Sequence, residues 1–213
     1  MEGLTLIAKG AEADLLLDPD WNGVKALIKR RGEKRYRHPE LDREIRRQRT
    51  IHEASIIHRA KGAGVPTPVI YQVDPDEATI VMEFVEGERV RDIVEDLSGE
   101  ERHELFKLIG LLAGRLHGAE IIHGDLTTSN IINTAEGPVF VDFGLGEVSS
   151  ETEKRGVDLN LMHRMLTSTH FRHTEELFAA FREGYVEGLG EEAEEALERM
   201  EEVSRRGRYV ERE

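Results

Sequence analysis

Three polar residues that could bind a metal ion or direct a proton lie close together near the middle of the sequence. Asp125 and Asn130 stand five residues apart in IIHGDLTTSNII, and Asp142 follows in VDFG, twelve residues after Asn130. Apolar pairs bracket the first segment, which predicts a strand, a tight loop and a second short strand. Mg²⁺ prefers oxygen ligands, and a further carboxylate could orient an attacking oxygen. This combination indicates phosphoryl transfer, because there a protein mainly positions groups and neutralises charge.

Each of these residues, taken singly, also has a purely structural interpretation. Asp125 could be a turn residue, Asn130 could cap a helix, and Asp142 could accept hydrogen bonds within a loop. Three such residues at this spacing, on the predicted ends of strands, favour the catalytic interpretation.

The two segments together resemble the catalytic loop and metal-binding motif of the protein-kinase-like superfamily, H-x-D-L-x-x-x-x-N followed by D-F-G. The resemblance implies that Asp125 is the catalytic base or orients the acceptor, and that Asn130 and Asp142 bind Mg²⁺ beside ATP. We interpret His123 as a packed, hydrogen-bonded residue that supports the loop rather than as a proton shuttle.

A kinase also needs a lysine on its third strand to contact the phosphates of ATP. The segment ALIK supplies Lys29 in a context that resembles V-A-I-K, although an exposed strand lysine is the alternative. Its partner carboxylate should lie on the following long helix. We predict Glu53 in RTIHEAS for this role, with Glu44 as the rival.

The adenine-binding strand and the glycine loop are the remaining parts of an ATP site. IVMEFVEGE resembles the fifth strand and hinge of a kinase, with Met82 beside the pocket and the backbone of Glu83 and Val85 meeting adenine. The glycine loop is reduced to KGAEADLLL, in which only Gly10 adopts positive φ easily. We therefore expect looser contact between this loop and the phosphates, or contact through side chains such as Lys9.

The elements that would position these residues fall into two parts, residues 1–85 and residues 86–213. The first part predicts five strands, with a turn at 74–76, and a long helix that begins at Pro39 and ends near Gly62. The second part predicts mainly helices, and the apolar face of its first long helix comprises Leu105, Leu108, Ile109, Leu112 and Leu116. The expected fold class is α+β, a bilobal protein-kinase-like fold with a small β-rich N-lobe, one long helix and a reduced helical C-lobe.

Charge is distributed unevenly along the 213 residues. The net charge is -14, yet Val24–Lys61 holds thirteen Lys or Arg against five Asp or Glu, which gives +8 there and -22 elsewhere. This basic segment is either a solvated helix face or a contact surface. The sequence has no cysteine, which excludes disulfides and thiolate metal sites, and it contains no apolar run of membrane-spanning length. We expect a cytoplasmic protein without a membrane partner.

The sequence departs from ordinary protein kinases after Asp142. VDLNLM follows within sixteen residues and no A-P-E motif intervenes, so little chain is left for a peptide-docking platform. Thr127 stands where serine/threonine kinases usually have a substrate-facing lysine. Asp158 resembles the buried aspartate that braces the catalytic loop, which implies a structural role.

Several local motifs resemble the PRPK family of small atypical kinases, the kinase subunits of the KEOPS complex. They cover nearly the whole chain and are GAEA, IKRRGEKRYRHPELD, RTIHEA, HGDLTTSN, DFGL and the tail RRGRYVERE. The resemblance implies ATP and Mg²⁺ as cofactors and a threonylcarbamoyl transferase subunit and other KEOPS subunits as partners. It further implies support of threonylcarbamoyladenosine synthesis at position 37 of tRNA, with ATP hydrolysis more important than phosphorylation of outside proteins.

Three alternatives remain open from the sequence. Small-molecule phosphotransferases carry a similar loop but are longer, and RIO-type kinases usually lack the phenylalanine of D-F-G. A pseudokinase scaffold would not need Lys29, Asp125, Asn130 and Asp142 together. Autophosphorylation is expected on a nearby hydroxyl, with Ser149, Ser150 and Thr128 as candidates, and tRNA contact would be indirect or through the basic segment.

Overall fold

The computed structural model describes residues 3–10 and 12–210, with the side chains of 207–210 left undescribed. It divides into two compact units. The first unit comprises Met1–His58 and Pro68–Val85, and the second comprises Arg59–Thr67 and Glu86–Glu213. The end of the long helix and the residues that follow it therefore belong to the second unit.

The first unit is built on an antiparallel sheet with the order β1-β2-β3-β5-β4. Its strands are β1 Thr5–Lys9, β2 Ala13–Trp21, β3 Val24–Arg31, β4 Ile70–Asp74 and β5 Thr79–Glu83. All five strands were predicted from the sequence. The predicted turn between β4 and β5 is also present, because the Asp74 carboxylate accepts the N–H groups of Asp76 and Glu77 at 3.2 and 3.0 Å.

One long helix, α1 Pro39–Gly62, packs on this sheet. Proline suits the first helical position, where its missing N–H is not needed, and Gly64 at φ +77° follows the end of the helix. Ala54 of α1 packs with Ile80 and Met82 of β5, and Leu27 of β3 joins this cluster. Because strand side chains alternate, the face of β3 that bears Leu27 also bears residues 29 and 31.

The second unit is mainly helical. Its elements are β6 Glu88–Arg89, α2 Val90–Ile93, α3 Gly99–Gly118, β7 Ile121–Ile122, a 3₁₀ turn Thr128–Asn130, β8 Ile131–Thr134, β9 Gly137–Phe140, β10 Glu147–Val148, α4 Thr152–Thr169, α5 Thr174–Leu189, a 3₁₀ turn Gly190–Glu192 and α6 Ala193–Val210. Strands β6, β8 and β9 form one small antiparallel sheet, and β7 pairs with β10. The strand, loop and short strand predicted around the catalytic loop are present.

The buried face of α3 differs from the predicted one. Ile109, Leu112 and Leu116 are buried as expected, whereas Leu108 is 38% exposed and Leu105 is only partly covered. Phe106, which the prediction omitted, is completely buried. The reason is the way in which α5 packs on α3.

Helices α3 and α5 pack closely against each other at glycine residues of both helices. A methyl group added at Gly110 would lie 1.9 Å from the carbonyl oxygen of Phe181, and one at Gly184 would lie 1.8 Å from that of Lys107. Both glycines thus allow the helix backbones to approach closely. This approach selects the side of α3 that bears Phe106, Ile109 and Gly110 as the buried one.

The acidic segment near the end of the chain forms helix α6. Within the basic tail, Arg206 donates to Glu153 of α4 at 2.9 Å and to Glu202 at 3.4 Å. The side chain of Arg208 and residues 211–213 lie outside the described part. Among the described helices, none combines the length and the apolar character that crossing a membrane requires.

Candidate active site

The loop that carries Asp125 is fixed from below by one buried carboxylate. Asp158 of α4 accepts the backbone N–H groups of His123 at 2.6 Å and Gly124 at 2.9 Å. Gly124 has φ +79°, and a methyl group there would lie 2.2 Å from the carbonyl oxygen of Leu145. Glycine is therefore required at this turn. The bracing role predicted for Asp158 is confirmed by these contacts.

A second layer of buried polar groups supports Asp158. His117 of α3 lies with Nε2 3.3 Å from the Asp158 carboxylate and with Nδ1 2.9 Å from the hydroxyl of Tyr185 on α5. All three side chains are fully buried, and burial raises the pKa of Tyr185, so that it stays a neutral phenol. Three helices are thus joined through the brace of the catalytic loop. No motif in the sequence indicated a role for His117 or Tyr185.

Asn130 positions Asp125 directly. The side-chain amide nitrogen of Asn130 donates to the Asp125 backbone carbonyl at 2.9 Å and to its carboxylate at 2.8 Å. Because the nitrogen faces Asp125, the amide oxygen Oδ1 is the atom of Asn130 that suits a cation. Both residues are partly exposed, so Asp125 lies within reach of an acceptor in solution.

Asp142 stands at the same end of the β8–β9 hairpin as Asn130. Ile131 pairs with Phe140, and the N–H of Val141 donates to the carbonyl of Asn130 at 2.9 Å. Asp142 itself has φ +62°, and its carboxylate accepts the N–H of Gly144 at 3.3 Å. Positive φ is uncommon for residues other than glycine and clusters at functional sites. The exposed carboxylate is thus held in a specific, costly backbone conformation.

His123 is a packing residue in this loop. Its Nδ1 accepts the N–H of Asp125 at 3.3 Å, and its ring lies 4.5 Å from that of Phe143. Burial lowers its pKa below the ordinary value of 6.5, although the nearby carboxylates act in the opposite direction. The neutral ring therefore orients Asp125, in agreement with the interpretation of His123 as a support.

The first unit contributes a buried ion pair on the sheet face that meets α1. Lys29 Nζ lies 2.6 Å from Glu53 Oε1, and the two side chains are 9% and 1% exposed. Glu44, the rival partner, is exposed and accepts from Gln48 at 2.6 Å instead. The geometry therefore selects Glu53 as the partner of Lys29.

The predicted hinge is only partly available to a base. The N–H of Glu83 donates to the carbonyl of Val69 at 2.8 Å, and the Glu83 side chain accepts the N–H of Val69 at 3.0 Å. The N–H of Glu83 is thus already used, and the predicted contact with adenine is limited to the carbonyl of Glu83 and the backbone of Val85. Met82 is buried in the cluster beneath the strand.

Gly10 allows a close approach between two backbone segments. Its φ is not positive, so the left-handed conformation that glycine permits is not used here. Its N–H donates to the carbonyl of Ala13 at 2.9 Å, and a methyl group on it would lie 2.7 Å from that oxygen. The short turn between β1 and β2 thus requires a residue without a side chain.

The oxygen atoms of the second unit fit a magnesium ion that is bound together with a nucleotide. Among the described residues, no cluster of three or more His, Cys, Asp or Glu could hold a metal by itself. Mg²⁺ commonly takes one or two protein oxygens and completes its shell with phosphates and water. Asn130 and Asp142 offer that kind of incomplete ligand set.

Comparison with known proteins identifies a family and a set of relatives. Residues 22–155 match the RIO domain family. The chain is 44% identical over 217 aligned residues to the KEOPS complex subunit Bud32 of Pyrococcus abyssi, and the match covers 98% of both chains. It is 46% identical to a probable bifunctional tRNA threonylcarbamoyladenosine biosynthesis protein of Methanothermobacter thermautotrophicus. That match covers 96% of this chain but 36% of the relative, so the chain spans about a third of its length.

Solved structures show the fold. The Rio2 kinase of Chaetomium thermophilum, in an ADP, Mg²⁺ and phosphoaspartate complex, superposes with a TM-score of 0.65 at 18% identity. The match covers 94% of this chain and 72% of the kinase. The predicted protein-kinase-like α+β fold is therefore confirmed. The match to the RIO domain also shows that the phenylalanine of D-F-G does not set a chain apart from that family.

Proposed function

The chain belongs to the Bud32 family of RIO-domain proteins, and from this premise we propose that it is an atypical serine/threonine kinase and ATPase of the KEOPS complex. It supports threonylcarbamoyladenosine formation in tRNA and depends on ATP and Mg²⁺. The observation that carries this proposal is the arrangement of Asp125, Asn130 and Asp142 at one end of a braced hairpin. Membership of the family confirms the resemblance to PRPK kinases inferred from the motifs.

Each of the residues proposed for function has a defined task. Lys29, held by Glu53, contacts phosphate oxygens of ATP, and Asp125 orients the attacking hydroxyl or water. Asn130 and Asp142 would hold Mg²⁺, which neutralises negative charge on the transferred phosphoryl group when it is bound. Asn130 keeps Asp125 in place through its amide nitrogen, and its amide oxygen would be the atom that binds the cation.

The accessible hydroxyls restrict where autophosphorylation can occur. Thr128 is completely buried, so it is unsuitable as an acceptor without local unfolding. Ser150 is exposed and Ser149 is partly exposed, and both precede α4. We therefore assign autophosphorylation to Ser149 or Ser150, with Ser150 the more accessible.

The names of the relatives support the inference that this chain acts together with another enzyme. One relative is named as a KEOPS subunit, and others as bifunctional proteins of tRNA threonylcarbamoyladenosine biosynthesis. We infer that this chain acts beside a threonylcarbamoyl transferase subunit and other KEOPS subunits in the cytoplasm. The short segment between Asp142 and α4 leaves the choice of acceptor to such a partner.

Nucleotide binding and turnover by the purified chain, alone and with KEOPS subunits, test this proposal. We expect ATP to bind in the presence of Mg²⁺, and Lys29→Ala to weaken that binding while a control at an exposed acidic residue, Asp20→Asn, does not. Asp125→Ala should bind ATP but turn it over roughly a thousandfold more slowly, the scale of losing one group that stabilises the transition state. Failure of the wild type to bind ATP under every condition would instead identify a scaffold.

A further inference from the structure

Glu53 is shared by two cations. Its Oε1 lies 2.6 Å from Lys29 Nζ, and its Oε2 lies 2.6 Å from Nη2 of Arg31. Arg31 is 4% exposed, so all three charged groups are buried. The strand explains the arrangement, because residues two apart on β3 project from the same face. Glu53 thus compensates the proposed ATP lysine and a second cation at once.

The network continues from Arg31 to the turn between β1 and β2. Nη1 of Arg31 lies 3.4 Å from one carboxylate oxygen of Glu12, whose other oxygen forms an ion pair with Arg49 of α1. Glu12 is 46% exposed and stands two residues after Gly10. The turn that replaces the glycine loop is therefore tied to α1 through Arg31 and Arg49.

The second cation, Arg31, keeps the buried carboxylate of Glu53 paired when Lys29 moves. A buried carboxylate without a partner is strongly unfavourable. If Lys29 were its only partner, Glu53 would lose its whole charge compensation whenever Lys29 turned toward a phosphate. The planar guanidinium of Arg31 keeps the other oxygen paired and fixes the orientation of the carboxylate.

We propose that Arg31 is a positioning residue for nucleotide binding, which fixes Glu53 beside Lys29 and links this pair to Glu12 in the β1–β2 turn. The inference rests on the proposed function, in which Lys29 contacts the phosphates of ATP. It assigns to Arg31 an effect on ATP affinity, while the chemistry at Asp125 stays unchanged.

The test compares ATP affinity and steady-state kinetics of Arg31→Gln with those of the wild type, in the full chain and below the melting temperature of either protein. We expect KM for ATP to rise about tenfold, the effect of losing one hydrogen bond to a charged group, with kcat nearly unchanged. Arg31→Lys, which retains a cation beside Glu53, should recover part of the loss. A matched control is Arg47→Gln, because Arg47 is a half-exposed arginine of α1 that pairs only with exposed Asp76 among the described residues; it should behave like the wild type.

A purely structural role would lower the melting temperature of Arg31→Gln without changing KM, and that result would overturn the proposal. If Arg31→Gln does not fold, Glu12→Gln and Arg49→Gln replace it, since both side chains are more than 40% exposed. Each of these two substitutions should raise KM for ATP a few-fold. If KM were unchanged in both variants, the link between Arg31 and the β1–β2 turn would be wrong, and the proposal would be overturned. Lys29→Met distinguishes failure of the proposed function from failure of the role of Arg31. Unchanged ATP affinity in Lys29→Met would contradict the proposed function. If Lys29→Met lost ATP affinity while Arg31→Gln kept it, only the role of Arg31 would be contradicted.

Discussion

At the scale of single residues, the site depends on side chains that each make two contacts. Asn130 uses its amide nitrogen to hold Asp125, and this leaves its oxygen for a cation. Asp158 uses both carboxylate oxygens to hold the backbone of His123 and Gly124. Such pairs fix reacting groups before a substrate arrives, which is the main contribution a protein makes to phosphoryl transfer.

Buried histidines make the stability of the chain depend on pH. Burial lowers the pKa values of His123 and His170. Below about pH 6.5 the unfolded chain binds protons at these residues that the folded chain does not bind, so the free energy of unfolding falls as pH falls. The slope contributed by each residue is at most about 1.4 kcal/mol per pH unit.

Denaturant unfolding of the wild type and His123→Leu between pH 7.5 and 5 checks this prediction. The variant should be less stable at pH 7.5 but should lose stability less steeply toward pH 5. Phe143→Leu is the matched control, because it alters the packing of the same ring without removing a titrating group. If the free energy of unfolding changed with pH equally in the wild type and in His123→Leu, His123 would have the same pKa in the folded and the unfolded chain. That result would contradict the prediction.

At the scale of elements, the close contact of α3 with α5 carries the brace of the catalytic loop. Gly110 and Gly184 let the two backbones approach, and the same two helices supply His117 and Tyr185 to Asp158. Any change that separates α3 from α5 should therefore reach the loop that holds Asp125.

Gly184→Ala measures the importance of this contact. The added methyl group would lie 1.8 Å from the carbonyl oxygen of Lys107, so one backbone must move. We expect a loss of about 1–3 kcal/mol in the free energy of unfolding, or several degrees in Tm. Gly62→Ala is the control, since a methyl group there meets no atom within 4 Å. Equal stability of the two variants would contradict the described packing.

The sequence was sufficient to predict local elements and the residues within motifs. The strands and α1 follow from alternation, Pro39 and Gly64, and Lys29 and Glu53 pair as expected. The sequence was insufficient where the contacting residue lies far away along the chain. His117 meets Asp158 across 41 positions and Tyr185 across 68, and no spacing rule connects them.

Two further differences have local physical causes. Arg31 was counted only as part of a basic segment, although its position two residues after Lys29 could have indicated a shared face. The exposure of Leu108 follows from the glycine contact on the adjacent side of α3, which a hydrophobic pattern alone does not specify.

At the scale of the whole molecule, the basic segment Val24–Lys61 is less positive in effect than its net charge of +8 suggests. Five of its arginines form ion pairs with acidic residues; they are Arg31, Arg37, Arg46, Arg47 and Arg49. Arg30, Arg35, Arg43 and Arg59 are exposed and form no ion pair with the described residues. These four are the arginines of the segment that we propose for contact with tRNA phosphates.

Salt dependence of tRNA binding by the reconstituted complex tests this surface. Replacing Arg35 and Arg43 by Gln should weaken binding and reduce the magnitude of the slope of log K against log salt by up to about two. Arg47→Gln, at an arginine already paired with Asp76, should change the slope less. Binding that is independent of salt would exclude an electrostatic contact.

The most direct test of the central claim is ATP turnover by the reconstituted KEOPS complex containing Asp142→Asn. If Asp142 binds the magnesium ion of a phosphoryl-transfer site, turnover at saturating ATP should fall roughly a thousandfold relative to an Asp76→Asn control, and threonylcarbamoyladenosine formation should fall with it. Full turnover in Asp142→Asn would contradict the account.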